Sequence, residues 1–434
     1  MKNIFLGNRD DIIQRIIKNA GIVLSGNLAA SVLNVISFTI VANQLGPKAL
    51  GFLVLAQTYS AVINDIFNVQ TWESMVMYGS KTLRDIKFSS VIKTNLAIDI
   101  LSAIVAFVFA VSLAQWIVGL LNWDSEIASI ATLYSFVILT RITSFTIGIP
   151  RLFDKFAKIS IFQVSTAVFK LALVLAAVYT NQELIGYVYI YIASEVLLNI
   201  ILIVFSLKVL STEHHSGWWK EKLEFNREQL RFIWWTNLRT IVRIPVRHFD
   251  MVVIGTVISL EMVGIYKVYK EIASTVKRIQ DPINQTIFPE FTKLLAKKEK
   301  QETARVAKKT IFLLSTVSSI IIGVLLLTAG LIVETFFGAE YLIEINALHA
   351  LLVVYLLSFI TVPINSLFIA SGFAKSSVYI LLFTNSMYLA SAYYFGLLYG
   401  IYGIVIAYTV QLVSNKGLKV YLLYKHPDWG EGVR

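Results

Sequence analysis

Apolar segments long enough to cross a bilayer follow one another along almost the whole chain. A helical span needs about 20 mostly apolar residues. Such stretches cover 20–43, 49–77, 89–121, 127–153, 158–181, 184–210, 229–258, 261–293, 306–336, 341–373, 376–399 and 400–425. Together they use up most of the 434 residues and leave no stretch for a separate water-soluble domain. Inside lipid every backbone N–H and C=O must be satisfied within the protein, so spans of this length are helices. The expected fold class is therefore an all-α integral membrane protein with about 12 transmembrane helices. A charged fraction of only 15% and a mean hydropathy of +0.70 agree with this.

The chain has no cysteine, which excludes disulfides, thiolate metal sites and cysteine nucleophiles. Gly21–Ala42 is of full spanning length, so we expect it to be retained as the first helix and not cleaved as a signal peptide. The net charge of +11 would point to nucleic acid in a soluble protein. Here most of the excess is a topology signal, and no nucleic-acid partner is expected. Lys and Arg gather on alternate connections: Arg9, Arg15 and Lys18; Lys81, Arg84 and Lys87; Arg151, Lys155 and Lys158; Lys220, Lys222 and Arg227; Lys297, Lys298, Lys300 and Arg305; then Lys416, Lys419 and Lys425. The intervening loops carry almost none, Lys48 excepted. The positive-inside rule then puts both termini in the cytoplasm.

A faint internal repeat runs through this pattern. Leu45-Gly-Pro-Lys-Ala-Leu-Gly-Phe52 follows the first span, and Ile258-Ser-Leu-Glu-Met-Val-Gly-Ile265 follows the seventh, 213 residues later. At the same offset Ile149-Pro150 meets Val362-Pro363. At 217 residues Phe156-Ala-Lys158 meets Phe373-Ala-Lys375, and Gly186 meets Gly403. Four matches in order imply two homologous six-helix halves in parallel. The expected organisation is an N-terminal lobe over 1–210, a cytoplasmic linker over 211–228 and a C-terminal lobe over 229–434. Transporters built from repeats place their substrate between the halves near the midplane.

Charges inside the spans locate the candidate site. Span 7 carries Arg239, Arg243 and Arg247 at four-residue spacing, hence on one helical face. Each would cost about 2.5–3.5 kcal/mol at the bilayer centre if it faced lipid, so the stripe should look into a wet cavity. Span 8 adds Lys267, Lys270 and Lys277 at helical spacing. The repeat-equivalents of the three arginines are Gly26, Ala30 and Asn34, and those of Lys270 and Lys277 are Gln57 and Asn64. The C-terminal half thus offers positive charge, and the N-terminal half offers amides, among them Asn27, Asn34, Gln57 and Asn64. Such a lining suits a cargo with an anionic head and sugar hydroxyls. The competing reading pairs the charges internally: Arg247 or His248 with Asp250, Lys267 or Lys270 with Glu271, and Asp65 or Glu73 across the cavity. Asp99 with Arg141, and Lys170 with Glu195, are candidate structural pairs. Asp65 is the candidate for coupling to H+ or Na+. No metal or other cofactor is expected.

Enzyme signatures are missing. There is no nucleotide-binding glycine loop, no dinucleotide fingerprint and no defensible Ser/His/Asp arrangement, and His214-His215 reads as solvated loop. Every outer loop is short, which argues against a membrane polymerase or ligase.

The stretch Gly21–Gly79 resembles the opening of the polysaccharide exporters, the O-antigen flippases of the Wzx type. The residues that carry the likeness are Asn27, Gln44-Leu-Gly-Pro-Lys-Ala-Leu-Gly-Phe-Leu53, Gln57, Asn64, Asp65 and Glu73. Relatives of that family include the lipid II flippases and the multidrug and toxin extruders. The resemblance implies two six-helix lobes around a central cavity, alternating access and a place in the bacterial inner membrane; a monomer is the default expectation. It implies a cargo of one oligosaccharide repeat unit on undecaprenyl diphosphate, with the bilayer and the polysaccharide polymerase machinery as partners. The alternative within the same superfamily is a cation-coupled drug exporter, which would need a more apolar or acidic cavity.

Overall fold

The computed structural model describes residues 9–83, 87–215, 217–297 and 299–425. Over 9–24, at 156 and over most of 276–300 it describes the backbone course only. The described chain is almost wholly helical: α1 (Arg9–Phe67), α2 (Trp72–Thr82), α3 (Lys87–Leu120), α4 (Ser125–Ser135), α5 (Ile149–Leu152), α6 (Phe156–Tyr179), α7 (Leu184–Thr212), α8 (Arg227–Val257), α9 (Leu260–Ala296), α10 (Lys300–Phe337), α11 (Ile345–Ile360), α12 (Val362–Ala370) and α13 (Ala374–Lys425). Seven helices among the described residues are long and apolar enough to cross a membrane, and the pair 125–140 and 144–152, bent by 53°, makes an eighth. Two of the seven are each two helices joined at a non-helical glycine, Gly46 in α1 and Gly400 in α13, and each is long enough for two passes. The more charged α8 and α9 complete the expected twelve. Side chains such as Leu101, Trp116, Phe312, Ile320 and Leu327 are exposed along these helices, as lipid contact requires.

The repeat motif proves to be turn chemistry. Gly46 has φ +69°, a left-handed value that glycine adopts without a Cβ clash. Pro47 follows it as the first residue of the second arm, where its fixed φ suits a helix start and its missing N–H leaves no bond unmade. One turn later Gly51 meets the repeat partner. A Cβ on Gly51 would lie 2.0 Å from the Leu260 carbonyl oxygen, and a Cβ on Gly264 would lie 2.0 Å from the Pro47 carbonyl oxygen. Gly51 corresponds to Gly264 and Pro47 to Leu260 at the offset of 213, so the two motifs clasp each other reciprocally. Pro150 and Pro363 each stand in the first turn of a short helix, α5 and α12.

The chain divides into two compact units. One comprises 1–44, 59–120 and 124–241; the other comprises 45–58, 121–123 and 242–434. The first is organised around a buried carboxylate. Asp99 on α3 accepts from the Thr71 hydroxyl at 2.7 Å, the Ser144 hydroxyl at 2.6 Å and the Ser144 N–H at 2.7 Å. It therefore ties down two helix breaks at once: the break at 68–71 that splits the expected second span, and the break at 141–143 in the fourth. Arg141 does not pair with Asp99; it pairs with Glu195 on α7 at 3.0 Å. Glu195 also accepts from Tyr134. The expected Lys170–Glu195 pair is replaced too, because the Lys170 ammonium stands 3.7 Å from the centroid of the Tyr191 ring. Each acidic group goes to whichever helix packs beside it, which residue spacing along the chain cannot reveal.

Candidate functional site

Arg239, Arg243 and Arg247 are all exposed along α8, one helical face as their spacing requires. Their surroundings differ. Arg239 belongs to the first unit and is held there by Glu73 on α2, one guanidinium nitrogen lying 2.7 Å from the second carboxylate oxygen. Gln229, also on α8, donates to Ser74 at 3.2 Å and anchors the same helix end. Arg243 and Arg247 belong to the second unit. Pro245 between them has no N–H for the Ile241 carbonyl. The next carbonyl, that of Val242, accepts from the buried Asn385 side chain at 2.6 Å. Asn385 in turn accepts from Gln411 at 3.2 Å, so both arms of α13 fix the helix where the arginines project.

The lysines of α9 bring a partner that residue order had assigned elsewhere. Lys270 pairs with the buried Asp250 of α8 at 2.5 Å and also donates to the Arg247 carbonyl at 3.2 Å. That carbonyl is the one a regular helix offers to the Met251 N–H. The Met251 N–H also donates to the Asp250 side chain at 2.9 Å, so Asp250 and Lys270 both engage the α8 backbone beside the basic face. Lys267 pairs with Glu271 at 3.5 Å, as internal pairing predicts for that residue. The Lys277 side chain lies outside the described residues.

Two cations missed as site residues complete the picture. Lys416 and Lys419 had been counted with the cytoplasmic tail, but they lie inside the second arm of α13, with Lys419 only 4% exposed. Lys419 donates to the Asn365 side chain at 2.8 Å and stands 5.9 Å from the Phe368 ring centroid. Lys416 donates to the Thr361 carbonyl at 3.3 Å. Their described partners are neutral oxygens and a ring, with no carboxylate among them. Arg243 lies within electrostatic reach of Lys419. A buried charge without a counter-ion costs several kcal/mol, so an anion placed beside this cluster would be stabilised. Its sequence signal was a pair of lysines one turn apart after an apolar run, the pattern that a helix simply leaving the membrane also shows.

The expected amide and carboxylate residues scatter. Asn27 accepts from Ser160 at 3.1 Å, and Asn34 is exposed and donates to the Ala30 carbonyl at 2.9 Å. Gln57 is half-buried in the second unit. Asn64 and Asp65 are buried in the first unit, where Asn64 donates to Asp65 at 3.3 Å and accepts from Asn68 at 3.0 Å. Among the described residues no group of three or more His, Cys, Asp or Glu side chains is arranged to hold a metal ion.

Comparison with known proteins agrees with this architecture. Residues 16–295 match the model of the polysaccharide biosynthesis protein family. The inner membrane protein YghQ of Escherichia coli K12 is 22% identical over 292 residues, covering 66% of this chain and 82% of its own. A multidrug resistance MATE family transporter of the MOP superfamily, solved in an inward-facing conformation, superposes with a TM-score of 0.73 at 15% identity, covering 90% of this chain and 94% of the other. The lipid II flippase MurJ, in an inward closed conformation, gives 0.66 at 14% identity over 94% of this chain and 89% of its own. At such identities the structural likeness shows the fold alone. It is the twelve-helix fold of the MOP transporters, in a chain whose long apolar helices make it a multi-pass membrane protein, and by the match over most of its length the chain belongs to the polysaccharide biosynthesis protein family.

Proposed function

We propose that this protein is a flippase, not an enzyme, and that it carries an oligosaccharide repeat unit of O-antigen or a related surface polysaccharide, linked to undecaprenyl diphosphate, from the cytoplasmic to the periplasmic leaflet by alternating access. The observation that carries this reading is the cationic group of the second unit: Arg243 and Arg247 exposed on α8, and Lys416 and Lys419 inside α13 with no carboxylate partner among the described residues. A diphosphate supplies the missing negative charge. Arginine meets phosphate through its planar fork and lysine as a point charge. The glycan is held by amides, and the polyprenyl chain stays in the bilayer. Both termini are cytoplasmic in this account. The working unit is a monomer of two six-helix lobes, and H+ or Na+ couples through Asp65.

Arg239 and Lys270 have a different role here. Each already neutralises a carboxylate, Glu73 and Asp250 respectively. They set helix positions and the local charge, whereas Arg243 touches the cargo. The test is complementation of a strain lacking the gene. Arg243→Ala and Lys419→Met should abolish surface polysaccharide while the protein still reaches the membrane, and Arg239→Ala should keep measurable export. Full export by both Arg243→Ala and Lys419→Met would overturn the assignment.

A further inference from the structure

A cleft of about 530 Å³ opens between α6 and α7, at the ends where α6 begins and α7 finishes. Its walls are apolar, formed by Phe162, Ile201, Val204 and Phe205 among others, with the Phe162 and Phe205 rings 5.2 Å apart. Neighbouring side chains on the same helices, Ile161 and Leu207, are exposed, so this surface faces the acyl chains of the membrane. Lysines rim the cleft at one level. Lys158 lies in the first turn of α6 and Lys208 near the last turn of α7, with Lys155 just outside. Lys155 approaches Glu213 at 3.9 Å. Lys158 stands 5.6 Å from the Phe205 ring centroid, and neither it nor Lys208 has a carboxylate partner among the described residues. An apolar slot in the acyl region with two uncompensated ammonium groups at its mouth is complementary to a lipid whose phosphate is negative.

We infer that this cleft binds an anionic glycerophospholipid of the cytoplasmic leaflet, its phosphate held by Lys158 and Lys208 and an acyl chain laid along Phe162, Val204 and Phe205. The leaflet follows from the lysine-rich connections at this end of the helices. The site lies wholly within the first unit and shares no residue with the cationic group proposed for the cargo, so it stands whether or not the protein is a flippase.

Native mass spectrometry of the detergent-purified full-length protein tests this, titrated with phosphatidylglycerol or with phosphatidylcholine. Phosphatidylglycerol should be retained preferentially. Lys158→Gln and Lys208→Gln should each weaken its binding about fivefold, the effect of one basic residue at an anionic lipid surface. Val204→Trp, at an exposed position, fills the slot with the charges intact and should lose the lipid. Lys375→Gln, at the repeat-equivalent of Lys158 and not among the residues lining the cleft, should change nothing. Melting temperatures measured alongside identify any variant that has lost its fold. Equal retention of the two phospholipids would overturn the inference, as would full retention by both lysine variants. Displacement of phosphatidylglycerol by millimolar inorganic phosphate would mark a free-anion site, and preference for undecaprenyl phosphate would mark a cargo site; either result also overturns it.

Discussion

Replacing Gly51 by alanine drives a methyl group into the Leu260 carbonyl. The built Cβ lies 2.0 Å from that oxygen, and ordinary contact begins at 3.4 Å, so the two motifs must part by about 1.4 Å. The obstacle is backbone on a helix start, which cannot rotate aside as a side chain would. Overpacking of this kind costs about 1–3 kcal/mol. Applied to one state of a two-state equilibrium, that shifts the populations about 5- to 150-fold. Gly264→Ala acts on the same gap from the other side, against Pro47. Opening the gap for one methyl makes room for the other, so the double variant should cost clearly less than the sum of the singles. All four residues of the clasp belong to the second unit, so loosening it should expose side chains on the same helix arm as Gly51. The chain has no cysteine, so a cysteine placed at Gln57 reports alone. Its labelling by a membrane-impermeant maleimide from the periplasm should rise at least fivefold in Gly51→Ala. Unchanged labelling, in a variant that is folded and present in normal amount, would refute the clasp as the contact that holds this arm in place.

Other consequences follow from the buried polar groups. Asp99→Ala leaves the Thr71 and Ser144 hydroxyls and the Ser144 N–H buried without their acceptor; at about 1–3 kcal/mol each the loss should exceed about 3 kcal/mol. An unchanged melting temperature in detergent would contradict it. Asp250→Ala strands the Lys270 charge and should destabilise by about 3–5 kcal/mol, whereas Asp250→Leu combined with Lys270→Met should recover much of that; additive losses in the double-mutant cycle would show that the pair is not coupled. His215, which the sequence reading left in solvent, packs 4.5 Å from the Phe88 ring centroid. Burial holds its pKa below the ordinary 6.5, helped by His214 and opposed by Glu213. The unfolded chain therefore binds the proton more readily, and this contribution to stability is full above about pH 6.5 and lost as the pH falls through and below that value. Melting curves followed by Trp218 fluorescence should show that acid-side loss in the native chain and a smaller one in His215→Phe; parallel pH profiles would contradict it.

The apolar spans and the break at Gly46 were legible in the sequence, because apolar length, glycine and proline act locally. The exposed arginine face of α8 was legible for the same reason: four-residue spacing is a property of the helix itself. Partner choice was not. Asn68–Thr71 contains no glycine or proline, yet the helix breaks there because Asp99 from α3 supplies the acceptor that holds the new helix start. Glu195 could be matched with Lys170 or Arg141 on charge alone, and packing decided for Arg141. The misreading of Lys416 and Lys419 has a similar origin. Positive charge near the end of a last span is the ordinary mark of a cytoplasmic tail, and only the packing of α12 against α13 turns that charge inward.

The most direct test of the account is the leaflet and structure of the glycolipid that accumulates in cells lacking this gene, in a strain without a second flippase. A single repeat unit on undecaprenyl diphosphate, confined to the cytoplasmic face, is the predicted result. Repeat units reaching the periplasm as in the parent strain, or no accumulation at all, would contradict a flippase and leave the drug exporter as the reading to pursue.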